Sequence, residues 1–127
     1  HPLLLLISFD GFRWDYVDLF NLTNFKRFRE NGSYAEHVKN IFPTLTYPNH
    51  WSLVTGLYDE SHGIIENSMY DPLLNKTFYY KENESHTIEW YGQNKLVEPI
   101  WLTNENSGEG RKSAAEWPGS NVRFISN

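Results

Sequence analysis

The first third of the chain passes from an apolar stretch to an amphipathic one and back. Leu3 to Phe9 is a continuous apolar run ended by Asp10-Gly11, the pattern of a strand buried on both faces of a parallel sheet. Leu22, Phe25 and Phe28, followed by Gly32, predict an amphipathic crossover helix with Asn21 or Thr23 as N-cap and the glycine at its C-cap. Tyr34 to Ile41 alternates only partly, but its place after a crossover helix makes it the second strand, leading into Phe42-Pro43-Thr44-Leu45-Thr46-Tyr47-Pro48. A second helix follows. Pro48 suits a first helical turn, where a missing N–H costs nothing, and the run from Asn49 to Thr55 stops at Gly56. Thr46 therefore lies at or just before a helix N-terminus.

Farther along, Met69 to Lys81 reads as a hairpin around Pro72-Leu73-Leu74-Asn75-Lys76, with Phe78, Tyr79 and Tyr80 in the returning strand. The stretch from Lys81 to Asn94 is polar and irregular. Pro99 begins another helix, Ile100 to Asn106, and the glycine-containing loop Ser107 to Arg111 leads to a short strand, Ser113 to Trp117. No repeat, low-complexity tract or internal domain boundary interrupts the chain. The β-α-β-α order implies an α/β sheet covered by helices, whose ligands gather beyond the carboxyl ends of the strands. Asp10 and Thr46 both fall there. So few strands leave a thin sheet with an unprotected edge, and the chain is expected to be part of something larger.

Composition narrows this picture. At 127 residues, 39% hydrophobic and 17% aromatic, the chain has ample side chain to bury and belongs to a folded protein with at most one domain core. The net charge of −5 and the lack of a basic patch beyond Lys26-Arg27-Phe28-Arg29 exclude a footprint for duplex nucleic acid; that run is a solvated helix face. The apolar run from Pro2 to Phe9 is too short to cross a bilayer, and no signal-peptide pattern precedes it, so the start reads as mature. There is no cysteine, but four Asn-x-Ser/Thr sequons begin at Asn21, Asn31, Asn75 and Asn83, which suits a glycosylated secretory protein.

Asp10 alone has two readings: a carboxylate at a strand end can hold a metal, and Asp-Gly is also ordinary turn chemistry. Thr46 alone is well explained as a helix cap. Together they gain meaning, because a threonine alkoxide at neutral pH needs a cause, and a divalent metal held by a nearby carboxylate is one. A helix N-terminus adds positive potential toward a phosphate. Asn67 is either a turn residue before a strand or an amide donor to a phosphoryl oxygen as charge grows there. His50 and His62 have no partner at ligand spacing and read as structural.

The string Leu5-Leu6-Ile7-Ser8-Phe9-Asp10-Gly11-Phe12-Arg13-Trp14-Asp15-Tyr16 followed by Phe42-Pro43-Thr44-Leu45-Thr46-Tyr47-Pro48-Asn49-His50 resembles the nucleotide pyrophosphatase/phosphodiesterase family of the alkaline phosphatase superfamily. Val54 to Ile65, Asn67 to Pro72, Pro99-Ile100-Trp101 and Trp117-Pro118-Gly119-Ser120 are similar to it in the same order. The absence of cysteine and the compact spacing between Asp10 and Thr46 are most like the short members 4 and 5. The resemblance implies an alkaline-phosphatase-like α/β fold, with a mixed, mostly parallel sheet and helices on both faces, of which this chain is the opening part.

By the same resemblance, the second threonine of Thr-x-Thr-x-Pro-Asn, Thr46 and not Thr44, is the nucleophile. Asp10 and Thr46 belong to one of two zinc sites, and Asn67 contacts the phosphate. Tyr47 and Trp117 line the pocket for the nucleobase or other substituent. The implied reaction is hydrolysis of a nucleotide phosphodiester or pyrophosphate bond through a threonine-linked intermediate, releasing a nucleoside 5′-monophosphate. A choline-phosphodiester or lysophospholipid hydrolase of the same family and a noncatalytic secreted glycoprotein that keeps the scaffold are the competing readings. Asn121 stands where many members carry Asp, and the other zinc ligands have no counterpart here, so the remainder of the domain is expected on a separate chain of a nicked enzyme or beyond a truncation. The implied location is outside the cell, secreted or on the outer face of the plasma membrane.

Overall fold

The computed structural model describes residues 3–91, 96–116 and 123–125. The chain falls into two compact units, His1–Lys39 and Asn40–Asn127. In the first unit, Gly11 turns the chain through a positive φ of 65° that favours a residue without Cβ. Two helices follow, α1 (Tyr16–Leu19) and α2 (Thr23–Asn31). Asn21 makes the bend between them at φ 48°, so Leu22, rather than Asn21 or Thr23, occupies the N-cap of α2. Phe25 on α2 stacks on Phe12 with centroids 5.3 Å apart and meets Phe9 edge-on at 5.5 Å. Arg29 holds Asp18 with two bonds of 2.9 Å; the pair is exposed and contributes little to stability.

Helix α2 ends at Gly32 as the pattern predicts, but by a different device. Gly32 is extended, with φ −140° and ψ −168°, instead of left-handed. Glycine fits there because a Cβ would stand 3.1 Å from the carbonyl oxygen of Phe28, closer than side chains ordinarily approach.

The expected parallel strands at 3–9 and 34–41 are not formed among the described residues. Leu3 is 95% exposed, and the ladders present are two antiparallel pairs elsewhere in the chain. The reason is physical: a strand exists by exchanging N–H and C=O groups with a neighbour, and no described segment pairs with either stretch.

The second unit holds the core. Helix α3 (Thr46–Thr55) ends at Gly56, which adopts φ 71° and returns its N–H to the Ser52 carbonyl at 2.8 Å, a left-handed helix ending that glycine accommodates without strain. The short helix α4 (Asp59–His62) stops in the same way at Gly63. The predicted hairpin is present as β1 (Ser68–Asp71) and β2 (Lys76–Tyr79), paired antiparallel with Met69 opposite Phe78. Asp71 Oδ1 gathers the N–H groups of Leu73 and Leu74 at 2.7 and 3.1 Å, the side-chain turn that makes Asp favourable there.

The irregular stretch predicted from Lys81 contains a 3-10 turn (Asn83–Ser85) and helix α5 (Ile88–Tyr91). Polar composition hid it, because two adjacent rings anchor the segment: Trp90 lies 5.4 Å from Phe78 and Tyr91 lies 5.0 Å from Trp51. Helix α6 (Ile100–Asn106) has the predicted bounds, and β3 (Ala114–Glu116) pairs with β4 (Arg123–Ile125). Tyr47 and Trp51, one helical turn apart on α3, are buried with Ile64, Phe78, Trp90, Val97 and Trp101. Four elements thus meet on one aromatic cluster, with Trp51 reaching Trp101 at 6.0 Å.

Phe78 is fully buried at the centre of that cluster. Its replacement by alanine is expected to destabilise the fold by about 3–5 kcal/mol in chemical denaturation. A loss below about 1 kcal/mol would contradict the packing described.

Candidate active site

Thr46 is the first residue of α3, preceded by Leu45 in an extended conformation with φ −110° and ψ 155°. The approach to it is tightly organised. Leu45 donates its N–H to the Pro43 carbonyl at 2.9 Å. The Asn49 side chain, from inside the first turn, accepts the N–H of Ile41 at 2.9 Å and donates to the carbonyls of Pro43 and Leu45 at 3.1 and 2.8 Å. Thr46 itself is partly buried, whereas Thr44 is exposed.

Asn67 is brought to the same place by the hairpin. Its carboxamide oxygen accepts the backbone N–H of Tyr47 at 3.0 Å, its carbonyl accepts the N–H of Tyr80 at 3.0 Å, and its own N–H is donated to Glu66 Oε1 at 2.9 Å. An N–H can be answered only by an acceptor, so the Asn67 oxygen faces Tyr47 and the NH2 group is the part that remains to donate. A hydrogen-bond donor is therefore fixed beside the residue next to Thr46.

The first turn of α3 is built to leave that donor in charge. Pro48 has no N–H, Tyr47 gives its own to Asn67, and Asn49 gives its own to the Leu45 carbonyl at 3.2 Å. The helix supplies positive potential at its start, and the Asn67 carboxamide lies beside it. His50 Nδ1 lies 2.7 Å from the Thr46 carbonyl; a carbonyl only accepts, so Nδ1 carries the hydrogen.

Both histidines of this unit's first helices are hydrogen-bonded within the fold. His62, 4% exposed, accepts the Ile64 N–H on Nδ1 at 3.1 Å and therefore donates from Nε2 to Ser52 Oγ at 2.9 Å. Burial pushes its imidazole below the ordinary value. Tyr47 is also deep in the structure: its ring is fully buried, 5.3 Å from Tyr80 and 5.8 Å from both Phe78 and His86. In this arrangement both the packing of α3 and the placement of Asn67 run through Tyr47, and its ring faces are occupied by neighbours.

Asp10 sits exposed in the turn of the first unit. Thr46, Tyr47 and Asn67 belong to the second unit, and the structure brings these three together. Trp117 lies outside the described residues. A carboxylate and a hydroxyl are oxygen donors that zinc accepts. Among the described residues, however, no group of three or more His, Cys, Asp or Glu could by itself hold a metal ion; the oxygen of Asp10 and that of Thr46 each suit such an ion in kind, and neither supplies a shell alone. Of the sequon asparagines, Asn21, Asn31 and Asn75 are at the surface. No helix among the described residues is long and apolar enough to cross a membrane.

The residue that sequence reasoning missed is Asn49. Its signal was an asparagine inside the first turn of a helix, a position where the side chain tends to bond nearby backbone instead of solvent.

The chain resembles known proteins in sequence and in fold. Residues 4–126 match the family model of type I phosphodiesterase/nucleotide pyrophosphatase. A bis(5′-adenosyl)-triphosphatase from Mus musculus is 49% identical over 121 residues, which cover 95% of this chain and 25% of that protein. Ectonucleotide pyrophosphatase/phosphodiesterase family member 5 from Homo sapiens is 42% identical over 121 residues, 95% of this chain and 24% of its own length. Among solved structures, an inactive threonine-to-alanine variant of murine ectonucleotide pyrophosphatase/phosphodiesterase 5 in complex with AMP superposes with a TM-score of 0.75 at 40% identity, covering 91% of this chain and 30% of that one. The chain thus spans about a quarter of the length of the curated relatives it matches.

The buried neutral His62 makes stability depend on pH. Its folded value lies below the ordinary 6.5, so as pH falls through 6.5 the unfolded chain takes up the proton first and stability is lost; well above it the effect is absent. His86, also depressed by burial, acts in the same sense. The urea midpoint is expected to be lower at pH 5.5 than at pH 7.5, with a smaller difference in His62→Gln. An undiminished difference in that variant would assign the effect elsewhere.

Proposed function

The chain belongs to the type I phosphodiesterase/nucleotide pyrophosphatase family, and from that premise we propose that it carries the attacking half of a zinc-dependent phosphodiesterase site, with Thr46 as nucleophile. Its fold class is α/β and alkaline-phosphatase-like, as in the murine structural neighbour, with the opening part of one catalytic domain in this chain. The observation that carries the proposal is the 3.0 Å bond from the Tyr47 N–H to Asn67 Oδ1, because it holds a phosphoryl-oxygen donor in fixed relation to the residue adjoining Thr46.

In this reading the Thr46 oxygen attacks phosphorus as the bond to the leaving oxygen breaks, giving a nucleotidyl ester on threonine. The Asn67 NH2 group donates to a non-bridging oxygen whose negative charge grows in the transition state, and the positive end of α3 favours the same charge. Water then attacks the same phosphorus, the bond to Thr46 breaks, and the hydroxyl is regenerated with release of a nucleoside 5′-monophosphate. Asp10 and the Thr46 hydroxyl would hold one of two zinc ions, whose contribution is to lower the pKa of a bound hydroxyl and to offset charge on phosphate oxygens. The remaining ligands would come from residues beyond these.

A nucleotide substrate is favoured over a choline phosphodiester or a lysophospholipid by the relatives: one acts on a bis-adenosyl triphosphate by name, and the structural neighbour binds AMP. The inactive state of that neighbour, which carries alanine for a threonine, supports a threonine nucleophile. Trp117 is proposed to border the nucleobase, whereas the Tyr47 ring is taken up by Phe78, Tyr80 and His86 in this arrangement. The sequons, three of them with surface asparagines, support a glycoprotein that is secreted or faces the outside of the cell.

In the intact protein, Thr46→Ala is expected to lower hydrolysis of a nitrophenyl nucleotide ester by at least about 10³-fold, whereas Thr44→Ala is expected to retain activity. Chelation should abolish turnover and added zinc restore it. Full activity of Thr46→Ala would sink the proposal.

A further inference from the structure

The loop that delivers Thr46 is held by the side chain of Asn49. Between Ile41 and Thr46 the backbone runs without a ladder or a helix, so its polar groups need partners from elsewhere. Asn49 supplies them: Ile41 N–H enters its Oδ1 at 2.9 Å, and its Nδ2 reaches Pro43 and Leu45 carbonyls at 3.1 and 2.8 Å. Both hydrogens of the carboxamide are engaged on the loop. That leaves Asn49 no donor for a substrate, and it excludes the side chain from contact chemistry.

Two anchors therefore bracket the proposed nucleophile. Asn67 fixes the backbone just after it, through Tyr47 N–H, and Asn49 fixes the backbone just before it, through the Leu45 carbonyl. A residue clamped on both sides keeps its backbone, and so the root of its side chain, at one position. Reaction rates depend steeply on such alignment, and a displacement of about 1 Å at a reacting atom can cost about 10²-fold. We propose that Asn49 is a positioning residue for the Thr46 reaction, acting by locking the 41–45 loop and not by touching substrate. The proposal rests on the reading of Thr46 as the attacking group.

The test uses the intact protein with Asn49→Ala, and with Asn49→Asp, which keeps the shape and the acceptor for Ile41 N–H but loses both donors. Val54→Ala, a partly buried packing residue on the same helix, serves as the control for a general loss of stability. Activity is read as kcat and KM per folded molecule, beside amide hydrogen exchange of residues 41–47. The expected result is a fall in kcat of about tenfold or more with KM within about threefold in both Asn49 variants. Exchange at Ile41 should become faster in Asn49→Ala, which removes its acceptor, and less so in Asn49→Asp, while the centre of α3 stays protected in both. Unchanged kcat, a loss equal to that of Val54→Ala, or unaltered exchange at Ile41 in Asn49→Ala would overturn the role. Thr46→Ala run alongside separates the two ideas: an inactive Thr46→Ala with active Asn49 variants sinks only this inference, whereas an active Thr46→Ala sinks the nucleophile reading, and the exchange data then judge the loop lock by themselves.

Discussion

The chemistry proposed for this site depends on how the backbone is held at the start of α3. A hydroxyl on a freely moving loop is a poor nucleophile, and a helix end alone is a site for almost any anion. Here the Tyr47 N–H, which the first turn of a helix leaves without an internal partner, is answered by the side chain of Asn67 from the hairpin. One bond thus satisfies a helix terminus, orients a carboxamide and joins two parts of the chain distant in sequence.

Packing makes that bond durable. Tyr47 and Trp51 carry α3 into the aromatic core, and Phe78 of β2 meets Tyr47 in the same cluster. The hairpin that presents Asn67 and the helix that presents Thr46 are therefore buried against each other by large apolar surfaces, which is the strong contribution, while the hydrogen bond sets direction. The core and the site share a residue, Tyr47, so a change to its ring is a change to both.

Much of this was legible in the sequence. Pro48 and Gly56 bracketed α3, because a proline that begins a helix and a glycine that ends one are constrained by backbone geometry alone. The Pro72–Lys76 turn gave the hairpin and Pro99 gave α6 for the same reason. Legibility failed where structure depends on distant partners. The apolar run from Leu3 to Phe9 predicts burial, but burial on both faces needs neighbouring strands that the described residues do not supply. Trp90 and Tyr91 sat in a polar stretch whose average concealed their anchoring rings, and Asn49 looked like part of a motif while its three bonds depend on a loop shape that no periodicity encodes. Asp10, Thr46 and Asn67 stood out as chemistry only in combination, and the contact between Asn67 and the start of α3 is knowable only from coordinates.

The central claim is that the oxygen of one threonine becomes bonded to phosphorus. Rapid acid quenching of the intact protein with a nucleotide substrate radiolabelled at the scissile phosphorus, followed by digestion and mass analysis, reads this directly. The expected result is a nucleotidyl group on the peptide that contains Thr46, with fragment ions placing it on that residue. Label on a different residue, or turnover under the same conditions with no covalent label at any time, would contradict it.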